Sequence, residues 1–356
     1  MLQRSLISMG NNYRIKKALQ KSRGGEEVAL VYLGASITMK RSEENDKGFA
    51  TLSYQFFRDT FGKQDNIRYI NAGMNGTTST MGLIRADRDV LSYNPEIVFV
   101  EFAVNDSKDN IQREIFESLI LRLLKAESKP AVILLFMSSE AGYSCQGHMQ
   151  VIGEHYKLPM ISICDAVLTE IGEKRMSWKE YSDDNIHPNE SGNRIVAECI
   201  AHFYRVTDAA PEQEEALIPE QPFFGNAYTS MKLLEAGDMK PVSLGSFVKE
   251  EAIKEFRYGL VYQRNTGNKS LKIKLRCRSL FVIYKETNNS MEGDAQIFVD
   301  GRIKGIMSGY RIFGWGNPVS VFVFREDQVR EHIIEVKMAP GDEGKEFTLL
   351  AFGYCD

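Results

Sequence analysis

Five short apolar runs, separated by segments of helical spacing, constrain the fold of this chain most strongly. Several of the runs are nearly continuous in apolar residues, which is typical of strands buried on both faces of a parallel sheet. The runs lie at residues 28–34, 67–73, 96–104, 131–137 and 159–164. Segments of helical spacing lie at 12–23 and around 49–61, 80–92, 111–127, 146–156 and 190–204. This alternation predicts an α/β domain in which a parallel sheet lies between layers of helices.

The pattern changes beyond the last predicted helix. Residues 207–222 are rich in Pro, Glu and Ala and have no periodicity, which is typical of a linker. After it come short runs with strand-like alternation, among them LKIKLRC, SLFVIYK, VSVFVFR and HIIEVKM, and Asp300-Gly301 is a strong hairpin-turn signal. We therefore predict an α/β domain over residues 1–206 and a smaller antiparallel β-sandwich over residues 223–356.

Composition argues against several classes of function. The 356 residues carry a formal net charge of −4, so a basic surface for nucleic acid is not expected. No apolar run approaches the roughly 18 residues that a membrane helix requires. The N-terminus lacks the apolar stretch of a signal peptide, and the five cysteines show no CxxC spacing. We expect a cytoplasmic protein that binds neither nucleic acid nor a membrane, and we predict no disulfide framework and no metal cluster.

A serine follows the first predicted strand almost directly, in the segment GASIT at residues 34–38. A tight turn at the carboxyl end of a parallel strand lies where α/β folds expose reactive groups. Gly34 permits a sharp turn, so Ser36 would project into the crevice at this edge of the sheet. An ordinary turn is the alternative interpretation, and a phosphate-binding loop is disfavoured because no GxxxxGK[ST] pattern follows.

Two further signals follow the next two predicted strands. Gly76, in the segment NAGMNGTTS, stands in a turn whose backbone N–H could point into the same crevice. Asn105, in the segment EFAVNDS, offers a neutral side-chain N–H that can stabilise an oxyanion without adding a titrating charge. Each signal by itself is also compatible with ordinary turn chemistry.

The fourth signal is the segment DDNIHPN, which precedes the last predicted helix. The spacing of Asp184 and His187 lets a carboxylate in a turn orient the imidazole, which can then accept a proton from a serine. Pro188 excludes a helix at His187 and so presents the ring from a loop. A metal site formed by Asp183, Asp184 and His187 is the alternative, but no second cluster of ligands accompanies it.

Taken in this order, the serine, glycine, asparagine and Asp-x-x-His signals resemble the SGNH (GDSL-like) hydrolase family over about residues 28–205. The resemblance implies a three-layer α/β/α fold with a flavodoxin-like parallel sheet. It also implies a serine esterase in which Ser36 is the nucleophile, His187 and Asp184 complete the triad, and no cofactor is needed. The oxyanion hole would consist of the N–H groups of Ser36 and Gly76 and the side chain of Asn105.

Two positions depart from the pattern of this family. The usual Gly-Asp-Ser is Gly34-Ala35-Ser36, so a carboxylate beside the nucleophile is missing, and the usual glycine two residues before Asn105 is Ala103. One alternative is therefore a catalytically degenerate protein that only binds carbohydrate. Another is a sugar acyltransferase that uses the same residues. We favour hydrolysis because every reacting group is present.

The second domain resembles the accessory domains of two-domain SGNH carbohydrate esterases, which remove small acyl groups such as acetyl from sugars. This resemblance implies a small-molecule or carbohydrate ester as the substrate. Trp178, Tyr181 and Trp315 are candidate aromatic contacts for a sugar, and packing within the protein is the alternative for each of them. The segment Gly142-Tyr143-Ser144 is a further candidate for the border of the site.

Overall fold

The computed structural model describes residues 1–39 and 47–356, which divide between Thr229 and Ser230 into two units. The helices of the first unit are α1 (Leu2–Ser5), α2 (Tyr13–Gly24), α3 (Phe49–Phe61), α4 (Ser79–Ile84), α5 (Ala86–Asp89), α6 (Asn110–Leu124), α7 (Gln146–His155), α8 (Ile163–Gly172), α9 (Trp178–Tyr181) and α10 (Glu190–Ala209), with a 3-10 helix at Leu91–Tyr93. Its strands are β1 (Leu6–Ser8), β2 (Val28–Gly34), β3 (Ile67–Gly73), β4 (Ile97–Glu101), β5 (Ala131–Phe136) and β6 (Met160–Ser162). Within the described ranges, no helix is long and apolar enough to cross a membrane.

The six strands of the first unit form one sheet in the order β1-β6-β5-β4-β2-β3. Strands β2 to β6 are parallel, whereas the short β1 pairs antiparallel with β6 at the edge. The parallel strands have the flavodoxin-like order 2-1-3-4-5, in which the direction of winding reverses between the first and third strands. Ligands of such sheets bind outside the carboxyl ends of the strands at this reversal. The loops after β2 and β4 are therefore in the position expected for a site.

Helices cover both faces of this sheet. Strands β2, β4 and β5 are buried along their whole length, which explains their continuous apolar sequences. On one face, helices α2, α3, α8 and α10 share a hydrophobic core with strand residues such as Tyr32 and Phe99, whose rings stack 4.9 Å apart. On the other face, Gly153 of α7 lies against Leu134 of β5. The predicted three-layer α/β/α fold is confirmed.

The boundary between the two units differs from the predicted linker at residues 207–222. Helix α10 continues to Ala209, and the chain that follows belongs to the first unit as far as Thr229. The buried carboxylate of Glu117 holds this segment, because it accepts hydrogen bonds of 2.5–2.9 Å from the backbone N–H groups of residues 223–225. Within the predicted linker itself, the buried side chain of Asn12 holds the chain, because its Nδ2 donates to the carbonyl oxygen of Pro211 at 2.8 Å and its Oδ1 accepts the N–H of Gln213 at 2.9 Å.

The second unit is built from strands that pair antiparallel. They are β7 (Met231–Glu235), β8 (Phe247–Ile253), β9 (Phe256–Tyr262), β10 (Leu271–Thr287), β11 (Asp294–Val299), β12 (Arg302–Ser308), β13 (Trp315–Met338) and β14 (Thr348–Cys355). Their order is β12-β11-β13-β10-β14-β9-β8, and β7 also pairs with β14. The predicted second domain with an antiparallel sheet is confirmed.

The structure joins runs that the sequence presents as separate strands. LKIKLRC and SLFVIYK both lie in β10, and VSVFVFR and HIIEVKM both lie in β13. The register between β10 and β13 shifts between Cys277 and Ser279, which breaks the alternation of apolar and polar residues. From Ser279 to Tyr284 every residue of β10 is buried, so the alternation ends there and the sequence pattern shows two short strands where the backbone forms one.

Candidate active site

The turn after β2 places Ser36 at the carboxyl edge of the sheet. A Cβ atom on Gly34 would lie only 2.1 Å from Oγ1 of Thr38 and 2.9 Å from the carbonyl oxygen of Glu101, so only glycine fits there. The N–H of Met39 donates to the carbonyl oxygen of Ala35 at 3.0 Å, which closes the turn around Ser36. The Ser36 side chain is half-buried, as expected for a residue that faces a crevice.

The side chains of Ser36, His187 and Asp184 form one chain of hydrogen bonds. The Oγ atom of Ser36 lies 2.8 Å from Nε2 of His187, and Nδ1 of the same ring lies 2.8 Å from Oδ2 of Asp184. If Nδ1–H donates to the carboxylate, Nε2 is left to accept the proton of Ser36. The structure thus brings together the three residues that the resemblance assigns to a triad.

The loop that carries Asp184 and His187 is held from several sides. Oδ1 of Asp184 accepts the backbone N–H groups of Ile186 at 2.7 Å and His187 at 2.6 Å. The Ser182 hydroxyl lies 2.8 Å from the carbonyl oxygen of Asp184, and the indole N–H of Trp178 donates to the same oxygen at 2.6 Å. Partial burial works against ionisation of Asp184, but the hydrogen bonds from His187 and Ile186 outweigh it and lower its pKa to about 2.

The loops that carry Gly76 and Asn105 lie on either side of the serine turn, because Gly34 pairs with Gly73 of β3 and with Glu101 of β4. Gly76 is exposed and has a φ of 65°, a backbone conformation that favours glycine. Asn105 is half-buried, and its Oδ1 atom has no hydrogen-bond partner within the part of the chain that the structure describes. Their roles as oxyanion donors stay a prediction.

Asp106 ties the two candidate oxyanion loops together. Its buried carboxylate accepts the backbone N–H of Ser79 at 2.8 Å and the Ser79 hydroxyl at 2.6 Å, and Gln112 of α6 donates to that hydroxyl at 2.7 Å. Burial raises the pKa of Asp106 to about 7. No sequence pattern predicts this contact, although the Asn-Asp pair after a strand is a signal that could have indicated it.

The loop after β5 closes a third side of the site. The backbone N–H of Glu140 donates to the carbonyl oxygen of Asn185 at 2.9 Å, in the loop between Asp184 and His187. The Tyr143 hydroxyl donates to the carbonyl oxygen of Asp106 at 2.6 Å, next to Asn105. This loop thus connects the histidine loop with the asparagine loop, so Tyr143 lies close to the candidate site.

A buried arginine fixes the strand ends beneath the serine turn. The Arg85 side chain is 1% exposed, and its guanidinium donates to the carbonyl oxygens of Gly34 at 3.1 Å and Ala72 at 2.7 Å. It also bonds to Asp89 at 3.0 Å. The carboxyl ends of β2 and β3 are therefore joined by a charged donor. No sequence signal pointed to Arg85, because its partners are backbone atoms distant in the chain.

Both departures from the family pattern are fully buried. The Ala35 side chain is 0% exposed, and Ala103 is equally buried with its carbonyl oxygen accepting the N–H of Cys145 at 2.6 Å. A carboxyl group nevertheless lies beside the serine turn, since Oε2 of Glu101 accepts the Thr38 hydroxyl at 3.0 Å. Burial raises the pKa of Glu101 to about 7, although hydrogen bonds from Thr38 and the Ala35 backbone oppose the rise.

The raised pKa of Glu101 makes stability depend on pH. The folded protein holds this carboxyl protonated up to about pH 7, whereas the unfolded chain ionises it near pH 4.5. Its stabilising contribution is therefore complete below about pH 4.5 and is lost as the pH rises to 7. We expect the unfolding free energy of Glu101→Gln, relative to that of the wild type, to increase by about 3 kcal/mol between pH 4 and 8. Urea unfolding of both proteins across this range measures the difference, and a constant difference would contradict the prediction.

The structure corrects two of the three predicted aromatic sugar contacts. Tyr181 is 1% exposed and Trp178 is 8% exposed, and both belong to the hydrophobic core of the first unit. The Trp178 indole supports the histidine loop from behind through the bond to Asp184 described above, so neither ring presents a face to a ligand. Trp315 is 62% exposed at the start of β13, and its role as a sugar contact stays a prediction.

Within residues 1–39 and 47–356, no group of three or more His, Cys, Asp or Glu side chains has an arrangement that could hold a metal ion.

Known proteins resemble this chain in sequence and in fold. Residues 32–195 match the sequence model of the GDSL-like lipase/acylhydrolase family. The whole chain superposes on the crystal structure of a two-domain esterase (CEX) active on acetylated mannans, with a TM-score of 0.89, 25% sequence identity and coverage of 100% of this chain and 99% of that chain. The same esterase co-crystallised with mannopentaose gives a TM-score of 0.88 and 25% identity, covering 100% of this chain and 98% of that chain. No curated protein matches the sequence.

The fold and these similarities define the class of protein to which this chain belongs. The α/β unit contains the segment that matches the GDSL-like lipase/acylhydrolase family, and the protein is a carboxylic ester hydrolase. Its two-domain architecture, with a parallel-sheet domain followed by an antiparallel-sheet domain, is that of the esterase CEX.

Proposed function

We propose that this protein is a serine esterase that removes small acyl groups, above all acetyl, from carbohydrate. The observation that carries the proposal is the chain of 2.8 Å hydrogen bonds from Ser36 through His187 to Asp184. The likeness to an esterase active on acetylated mannans, which extends over both domains, supports acetylated carbohydrate as the substrate class. The exposed Trp315 is available in the second domain as a stacking surface for a sugar.

The proposed reaction proceeds through an acyl-enzyme. His187 takes the proton of Ser36 as Oγ attacks the ester carbonyl, and Asp184 stabilises the imidazolium that forms. The N–H groups of Ser36 and Gly76 and the Asn105 side chain hold the tetrahedral oxyanion. The sugar hydroxyl leaves with the proton from His187. Water then attacks the acyl-enzyme with His187 again as the base, and acetate is released as Ser36 recovers its proton.

The test compares esters that differ in acyl length and in alcohol. We expect hydrolysis of p-nitrophenyl acetate to exceed that of the butyrate, with little on the octanoate, and we expect acetate release from acetylated manno-oligosaccharides. Mass spectrometry of the products in the presence of an unacetylated oligosaccharide shows whether water or a sugar hydroxyl accepts the acyl group. Saturable binding of the oligosaccharide without turnover would contradict the proposal and identify a carbohydrate-binding protein.

Replacing Asn105 by alanine should weaken catalysis without abolishing it. Loss of one oxyanion donor typically costs about 10²–10³ in turnover, because the transition state loses a hydrogen bond that the substrate makes only weakly. We expect kcat for p-nitrophenyl acetate to fall by about that factor while KM changes little. Asn185→Ala, in the neighbouring histidine loop, is the matched control because its carbonyl, not its side chain, makes the contact with Glu140. A wild-type kcat in Asn105→Ala would remove Asn105 from the oxyanion hole.

A further inference from the structure

A carboxyl group from the neighbouring strand supports the turn that carries Ser36. Glu101 is the last residue of β4 and lies opposite Gly34 in the pairing of β2 with β4. Its side chain is 1% exposed, and Oε2 accepts the hydroxyl of Thr38 at 3.0 Å. Its Oε1 atom is buried, with no hydrogen-bond partner among the described residues. A buried polar group of this kind is costly, so it calls for an explanation.

The side chain beside Ser36 cannot provide such support, although the backbone of Ala35 also bonds to Glu101. Ala35 is fully buried and has no polar side chain. Thr38 lies two residues after Ser36, at the end of the turn that the bond from Met39 to Ala35 closes. Its side chain packs so closely over Gly34 that even a methyl group there would collide with it. The bond from Thr38 to Glu101 therefore fastens the turn to the sheet on the side of β4.

We propose that Glu101 is a positioning residue, which holds the Ser36 turn in its reactive conformation through the hydroxyl of Thr38. This inference rests on the proposed role of Ser36 as the nucleophile. Glu101 acts through Thr38 and does not touch the reacting atoms. Because misplacement of a reacting group by about 1 Å can cost about 100-fold in rate, loss of the bond from Thr38 has a large effect on kcat.

The charge state of Glu101 suits this role. Burial raises its pKa to about 7, and Asp106 in the loop after β4 adds to the rise. The buried hydroxyl of Tyr181 on α9 is another titratable group that interacts with Glu101. Below about pH 7 a protonated Glu101 accepts the bond from Thr38 without placing a negative charge beside the serine turn. A glutamine reproduces this neutral form.

The test is a double-mutant cycle measured as kcat and KM for p-nitrophenyl acetate at pH 6.5. We expect Glu101→Ala to lower kcat about 10- to 100-fold with KM within about twofold, and Glu101→Gln to retain kcat within about threefold of the wild type. Thr38→Val, which is nearly isosteric, should lose about as much as Glu101→Ala. The double variant Thr38→Val/Glu101→Ala should lose no more than Glu101→Ala alone, because Glu101→Ala already removes the bond from Thr38.

Glu117→Gln is the matched control, since Glu117 is an equally buried carboxylate that holds residues 223–225. It should lower the melting temperature but leave kcat unchanged. If Glu101→Ala does not fold, Thr38→Val carries the test. A wild-type kcat in Glu101→Ala or Thr38→Val, additive losses in the double variant, or an equal loss of kcat in Glu117→Gln would overturn the inference. Full activity in Ser36→Ala would overturn the proposed function instead, so the two failures are distinguishable.

Discussion

Ser36→Ala is expected to abolish ester hydrolysis, with a fall in kcat of roughly 10⁴-fold or more. The Oγ atom of Ser36 is hydrogen-bonded to Nε2 of His187, and an alanine leaves that nitrogen without a hydroxyl to deprotonate. The methyl group fits the space of the hydroxymethyl, so the turn and the binding of substrate should persist. The measurement is kcat and KM for p-nitrophenyl acetate, with circular dichroism to show that the variant is folded.

Two controls make the result specific to this residue. Ser92→Ala, at an exposed serine whose hydroxyl bonds to the carbonyl oxygen of Arg88, should retain wild-type turnover. A fluorophosphonate probe should add its mass to the wild type at Ser36 and should not label Ser36→Ala, because only an activated serine reacts. Turnover that persists in the folded Ser36→Ala variant would exclude Ser36 as the nucleophile.

Asp184→Asn should lower kcat by about 10⁴-fold while leaving the loop intact. Oδ1 of Asp184 accepts the backbone N–H groups of Ile186 and His187, and an asparagine carbonyl oxygen can keep both bonds. Its NH₂ group then faces Nδ1 of His187, whereas in the wild type Oδ2 accepts a hydrogen bond from Nδ1–H. The amide therefore favours the tautomer with the proton on Nε2, which cannot accept the proton of Ser36.

The neighbouring aspartate is the control for this variant. Asp183 is exposed, and its carboxylate accepts only a long 3.3 Å bond from the Asn189 amide among the bonds that the structure describes. Asp183→Asn should thus keep wild-type kcat, and both variants change the charge by the same amount. Equal losses in the two variants would indicate that charge near the loop, and not the tautomer of His187, determines the rate.

Much of the fold could be predicted because its signals are local. Buried parallel strands have continuous apolar sequences, and helices repeat every 3.6 residues, so the α/β alternation is visible without the structure. The second domain shows the limit of this reasoning. Its two longest strands contain a shift of register, and a pattern with a period of two cannot be followed across such a shift.

The aromatic candidates show a second limit. Trp178 and Tyr181 lie close in sequence to Asp184 and His187, and both were candidates for a sugar surface. Their rings are buried, and Trp178 contacts the carbonyl oxygen of Asp184 from the protein side of the loop. Proximity in sequence does not show whether a ring faces the solvent or the core, since that depends on which element packs against it.

The sequence by itself determined the class of fold and the identity of the groups able to react. It also determined the order in which the serine, glycine, asparagine and Asp-x-x-His signals follow one another along the chain. The tertiary structure alone decided which groups meet. Ser36 and His187 are separated by 151 positions in the chain, yet their side chains are hydrogen-bonded because both loops lie at one edge of the sheet. The supports of the site, Glu101, Asp106 and Arg85, bond to groups on other elements. Such bonds depend on how strands and helices pack, and no local pattern of residues encodes them.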